Sequence, residues 1–238
     1  MFGFDQLLSV LKTAYKATVR QWRVMLMAVL IVAGILLLFT LLSVQLMGYF
    51  WGISLTAEDS LEQMLMPLQY LLLIVSAPLE AGLAWLGLGA FLGKNIRPQQ
   101  VFYAMPLSAG LIVIALVSSA LVNLGLQLLL FPGIYLMAVL SFANLYYLQH
   151  QGTPLQAMWR SAKVVHHHFG LVLGFNGAMI GLFMLAAIPF GLGLVFAVPF
   201  YFIGKGVLYH RLFSVDDMPE PEEQTSESPV IAPTKFEA

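Results

Sequence analysis

No cysteine occurs among the 238 residues, which excludes a disulfide scaffold, a thiolate metal site and a cysteine nucleophile. Charge is nearly as scarce. Asp, Glu, Lys and Arg make up 10% of the chain, against roughly 25% in soluble domains. A formal net charge of −1 argues against a nucleic-acid partner and against attachment to a surface by electrostatics alone. The chain also has no nucleophile elbow, no phosphate-binding glycine loop and no zinc ligands paired at helical spacing, so no catalytic residue, cofactor or metal is expected and the protein reads as a non-enzyme.

What is present is apolar: 60% of residues are hydrophobic and the mean hydropathy is +0.85. That composition predicts an all-α, polytopic membrane helix bundle. Crossing a bilayer core about 30 Å thick takes about 20 apolar helical residues, because lipid offers the backbone no hydrogen-bond partner. Stretches without charged residues place the spans. Val24 to Ala57 holds the first, near 24 to 50, with an aromatic exit at Tyr49, Phe50 and Trp51. Gln63 to Gly93, interrupted only by Glu80, holds the second, as one tilted helix or as two segments broken at Ala77-Pro78. Pro98 to Trp159 is long enough for two spans, near 104 to 130 and 134 to 150, with Phe131-Pro132-Gly133 as the expected turn. Val164 to Gly204 begins the last two, near 169 to 188 and 193 to 210, divided at Pro189-Phe190-Gly191. Six transmembrane helices are expected. The first apolar run exceeds a signal-peptide core and no small-residue cleavage site follows it promptly, so span one is expected to stay as an anchor.

Basic residues collect on one side of this layout. Lys12, Lys16, Arg20 and Arg23 precede span one, Lys94 and Arg97 follow span two, Arg160 and Lys163 follow span four, and Lys205 and Arg211 close span six. The opposite loops contain no Lys or Arg, and the first carries Glu58, Asp59 and Glu62. Both termini are therefore expected in the cytoplasm.

Pro67, Pro132 and Pro189 each stand at the start of a returning span, where a missing N–H costs nothing. Amphipathic segments precede the outgoing spans. In residues 1–23, Phe4, Leu7, Leu8, Leu11, Tyr15 and Trp22 share one face and the four basic residues another. Before span five, Leu155, Met158, Trp159, Ala162 and Val165 oppose Gln156, Arg160, Lys163 and His167, behind a Thr153-Pro154-Leu155-Gln156 capping box that Pro98-Gln99-Gln100 echoes before span three. Such segments lie in the plane of the cytoplasmic interface. They suggest three copies of an interfacial helix plus hairpin, the plainer alternative being that membrane hairpins favour proline at turns. The organisation is then an interfacial helix at 1–23, a six-span domain at 24–213, and a disordered acidic tail at 214–238, five of whose seven acidic residues lie between Asp216 and Glu223. The tail is either a solvated end or a docking segment for a protein partner.

Glu80 is the residue most open to a functional reading, since a carboxylate within a span calls for a partner. Asn123 and Gln127 are its candidate companions in an intramembrane polar site, with Gln45, Asn144 and Asn176 as further neighbours; the bland alternative is a hydrogen bond to backbone freed by Pro78. Lys12, Lys16, Arg20, Arg23, Arg160 and Lys163 are candidate lipid-headgroup contacts. His166, His167 and His168 point about 100° apart on a helix and cannot converge on one metal ion. Gly82, Gly87, Gly89 and Gly93, and Gly170, Gly174, Gly177 and Gly181, form small-residue ridges suited to close helix packing.

Phe131-Pro132-Gly133-Ile134-Tyr135-Leu136, then Pro154-Leu155-Gln156-Ala157 and Ser161, resemble the Leu-Pro-Gly-Ile-Tyr and Pro-Leu-Glu-Ala-Leu-x-x-Ser pattern of a broad group of uncharacterised six-span bacterial inner-membrane proteins. That group is similar to the membrane domain attached to some glycerophosphodiester phosphodiesterases. The pattern covers 31 residues, with Phe131 in place of leucine and Gln156 in place of the acidic residue. No phosphodiesterase domain is present, so no catalytic role carries over. The resemblance implies a bacterial inner-membrane location and a role near lipid or envelope upkeep. Two readings follow: a non-enzymatic membrane-organising or accessory factor whose partners are lipids, and, as the alternative, a small transporter or lipid-handling protein using Glu80. A membrane enzyme would instead need Arg160, Lys163 and the histidines around a cytoplasm-facing pocket.

Overall fold

A computed structural model describes residues 4–51, 58–188 and 191–213, and every element among them is helical. Helix α1 (Phe4–Trp51) bends at Gln21, where φ −123° and ψ 19° leave the helical region, close to the expected boundary at residue 23. Helix α2 (Glu58–Phe91) is continuous through Pro67 and Pro78, which settles span two as one helix. A 3₁₀ segment (Pro98–Leu107) leads into α3 (Ser108–Leu128), followed by α4 (Leu130–Leu140), α5 (Ala143–His150), α6 (Pro154–His167), α7 (Phe169–Ala187) and α8 (Leu194–Phe213). The expected tail lies outside the described residues.

Among the described residues five stretches are long and apolar enough to cross a membrane: Asp5–Phe50, Leu65–Phe91, Pro98–Leu128, Leu130–His150 and Phe169–Ala187. Their outer surfaces are apolar as well, as at exposed Leu37, Leu38, Leu41 and Leu42, a patch that water would not tolerate. The difference from the expected six lies in α8, which coincides with span six but carries Lys205, His210 and Arg211. Its residues from Phe202 to Tyr209 are buried by protein, so this part of the helix need not be as apolar as a lipid-facing one.

The core lies around α2 and α8. Residues 81–90 of α2 are buried without interruption, the pattern of a helix enclosed on all sides. Close approach makes this possible. A Cβ on Gly87 would run into the Phe202 carbonyl oxygen, one on Gly206 would lie 2.5 Å from the Leu88 nitrogen, and one on Gly82 would meet the Val101 carbonyl. At Gly82 and Gly87 the α2 half of the glycine expectation therefore describes real helix contacts, whereas Gly93, at φ +74°, terminates the helix: the Lys94 N–H donates back to Gly89 O at 3.1 Å. The α7 half is overturned. Gly170, Gly177 and Gly181 face open space, and Gly174 meets only a Leu7 methyl.

The turn between α3 and α4 is also corrected. It consists of Leu129 alone, extended at φ −160°, ψ 145°, two residues before Phe131-Pro132-Gly133. Pro132 instead sits in the first turn of α4, where no N–H is required. Gly133 lies against Gly125 so closely that a Cβ on Gly125 would stand 2.9 Å from its Cα, which lets the chain reverse over one residue.

The amphipathic segments have a third face that periodicity of bulky residues does not reveal. In α1, Val10, Ala14, Ala17 and Thr18 are buried, with Ala14 against Gly204 of α8, whereas Tyr15 and Trp22 remain exposed. In α6, Ala157, Met158, Ser161 and Val165 face the protein, and Leu155 and Trp159 are each 72% exposed. Its start is as expected: Thr153 Oγ1 accepts from the Gln156 N–H at 3.3 Å and Gln156 Oε1 accepts from the Thr153 N–H at 3.4 Å. The echo is half-made, with the Arg97 N–H donating to Gln100 Oε1 at 3.1 Å.

Candidate functional site

Glu80 does have a partner, and it is Lys205. The ammonium of Lys205, buried in α8, lies 3.4 Å from Glu80 Oε1 and 5.9 Å from the centre of the Tyr201 ring. The Glu80 side chain is 47% exposed. The expected polar site around Glu80 is not assembled: Asn123 is exposed on α3 and donates to Ser119 Oγ one turn back at 3.4 Å, and Gln127 is exposed near the end of the same helix. Lys205, expected among the cytoplasmic charges, is instead buried inside the bundle. Its setting in Ile203-Gly204-Lys205-Gly206-Val207-Leu208 was the available signal, since a lysine flanked by glycines in an apolar run marks a buried site where another backbone comes close. Buried Ser118 Oγ and Asn144 Oδ1 have no hydrogen-bond partner among the described residues.

The basic residues divide into two groups. Arg20 is structural: its Nη2 donates to Ala90 O at 3.0 Å, placing a cation over the carbonyl end of α2, where the helix dipole favours it. Gln21 Nε2 donates to Lys94 O at 3.2 Å beside it. Arg211 is likewise bound, donating to Ser9 Oγ at 2.7 Å, and the Tyr209 hydroxyl donates to Gln149 Oε1 at 2.7 Å. These bonds bring the start of α1 and the ends of α2, α5 and α8 together at one end of the bundle. Lys12, Lys16, Arg23, Arg160 and Lys163 remain exposed.

The histidines diverge, as their spacing predicts. His166 Nδ1 and the Tyr135 hydroxyl share a hydrogen bond of 2.8 Å, while His167 Nδ1 donates to Lys163 O at 2.9 Å and His168 Nδ1 to Val164 O at 3.3 Å. Among the described residues no group of side chains could hold a metal ion.

The motif residues behind the family resemblance act in packing. The buried Ser161 hydroxyl donates to Val139 O at 2.7 Å, fastening α6 to α4, and Tyr135 with His166 makes a second link between the same helices. Beside this junction lies a cleft of about 1020 Å³ between α6 and the end of the α3–α4–α5 hairpin, lined by Leu121, Leu140, Tyr146, His150, Trp159 and Arg160 among others. Sequence reading located α6 but not the cleft, whose walls come from four helices. No protein family, curated protein or solved structure matches this chain. The resemblance therefore rests on residues 131–161 themselves.

Proposed function

We propose that the chain is a six-span protein of the bacterial inner membrane with both termini in the cytoplasm, acting without catalysis as a membrane-organising or accessory factor at the inner leaflet. One observation carries the reading. The bonds from Arg20, Gln21, Tyr209 and Arg211 join the basic ends of the bundle at a single end, and the exposed cations of α1 and α6 accompany exposed Tyr15, Trp22, Leu155 and Trp159, the composition of an interfacial surface. A transporter built on Glu80 finds less support, because Lys205 already occupies the carboxylate and the other expected polar residues lie elsewhere. Lipid handling is the second reading, favoured by the cleft under α6. Fusions of a cytoplasm-active and a periplasm-active reporter to each terminus test the topology: both ends should report cytoplasm, and periplasmic activity at either end refutes it.

A further inference from the structure

The cleft under α6 has the make-up of a site for an amphiphile. Its walls are mostly apolar, with Leu121, Leu136, Leu140 and Met158 beside the more exposed Trp159, and no acidic residue lines it. Its volume of about 1020 Å³ is at the upper end of ordinary ligand sites, roughly 300–1,000 Å³. Its charged member is Arg160, which has no hydrogen bond or ion pair among the described residues. His150 also lines the cleft, and its Nδ1 donates to Tyr146 O at 3.2 Å, so its other ring nitrogen is not committed by that bond. Thr153 and Gln156 are held by the capping box. A small anion alone would leave the leucine wall unmatched, and a neutral amphiphile would leave Arg160 uncompensated. A guanidinium suits a phosphate because its donors match the oxygens in pairs.

We propose that this cleft binds one anionic phospholipid, its acyl chain along the leucine wall and its phosphate on Arg160. The proposal deepens the lipid-handling reading and rests on it. In the proposed topology the exposed Leu155 and Trp159 that line the cleft set its mouth at headgroup depth, where a lipid enters sideways from the inner leaflet.

Native mass spectrometry of the full chain in neutral detergent, titrated with phosphatidylglycerol or phosphatidylcholine, tests this. The expected result is one phosphatidylglycerol per chain, with phosphatidylcholine weaker by about tenfold, a difference of about 1.4 kcal/mol. Arg160→Gln should remove the preference, Ala162→Phe, which fills the cleft, should weaken both lipids, and Arg97→Gln, which removes an exposed cation outside the cleft, should change neither. The proposal is overturned if Arg160→Gln keeps the preference or if Arg97→Gln loses it equally. Displacement by inorganic phosphate would show a free-anion site and also overturn it, as would a lipid-free dimer that Ala162→Phe dissociates. Arg160 is exposed and unpaired among the described residues, so its variant tests the charge even where the bulkier one fails to fold. Binding in detergent does not depend on which way the termini face, so failure here and failure of the topology are separately visible.

Discussion

Replacing Glu80 by leucine leaves the Lys205 ammonium, itself only 6% exposed, without its counter-ion. Breaking a buried ion pair from one side costs about 3–5 kcal/mol. Two features of this pair reduce that figure: the carboxylate is 47% exposed, so its field is partly lost outside the protein, and the Tyr201 ring, 5.9 Å away, offers the cation a partial substitute worth about 0.5–2 kcal/mol. The net expectation is a loss of about 2 kcal/mol for Glu80→Leu, or about 4–8 °C in Tm for a domain of this size. Lys205→Met should cost less, because the carboxylate it leaves is only half enclosed and methionine fills the lysine's channel. The double variant should lie closer to wild type than the sum of the two, since no uncompensated charge remains. Thermal unfolding of the four proteins in one detergent, followed by tryptophan fluorescence, gives the cycle. Additive losses, or a Glu80→Leu protein as stable as wild type, would refute the assignment of this pair as a helix clamp and return Glu80 to the candidates for a transport role.

Gly87→Ala drives a methyl group into the Phe202 carbonyl and should abolish a monodisperse peak on size exclusion, whereas Gly177→Ala, facing open space, should be neutral or stabilising by up to about 1 kcal/mol through helix propensity. Arg20→Ala removes the cation from the end of α2 and should cost about 1 kcal/mol, visible as faster hydrogen exchange of the amides from Leu92 to Lys94 that close that helix. Thr153→Ala removes the α6 cap at a cost of about 1 kcal/mol; exchange should rise at Gln156 and its neighbours and stay unchanged in α2, and a uniform rise across the chain would contradict a local cap.

Much of the architecture was readable along the chain because it depends on local composition. Apolar length located the described stretches long enough to cross a membrane, the first of them without its amino-terminal extension, and Thr153-Pro154 with Gln156 marked the start of α6, since a cap is made by neighbours in sequence. Proline marks a helix start at Pro132 and Pro154 but not at Pro67, which lies inside α2, and it misleads about the turn: Pro132 belongs to the first turn of α4, while an ordinary leucine, Leu129, makes the reversal because Gly125 and Gly133 let the helices touch. Periodicity separated bulky from charged residues on α1 and α6 and passed over the small face, Val10, Ala14, Ala17 and Thr18, because a hydrophobicity pattern weighs size and closeness of packing weighs its lack.

The partners of side chains were not legible in that way. Glu80 and Lys205 are 125 residues apart, and each helix can be turned about its axis at almost no cost to its own hydrogen bonds. Which residues meet is then decided by where backbones can come closest, here at Gly87 and Gly206. The same contact brings Lys205 inside the bundle, leaves Gly170, Gly177 and Gly181 of α7 without a neighbour, and allows the wall of the cleft under α6 to be drawn from helices distant in sequence. Span positions follow from the energy of single residues in lipid, whereas the pairings follow from the fit between surfaces.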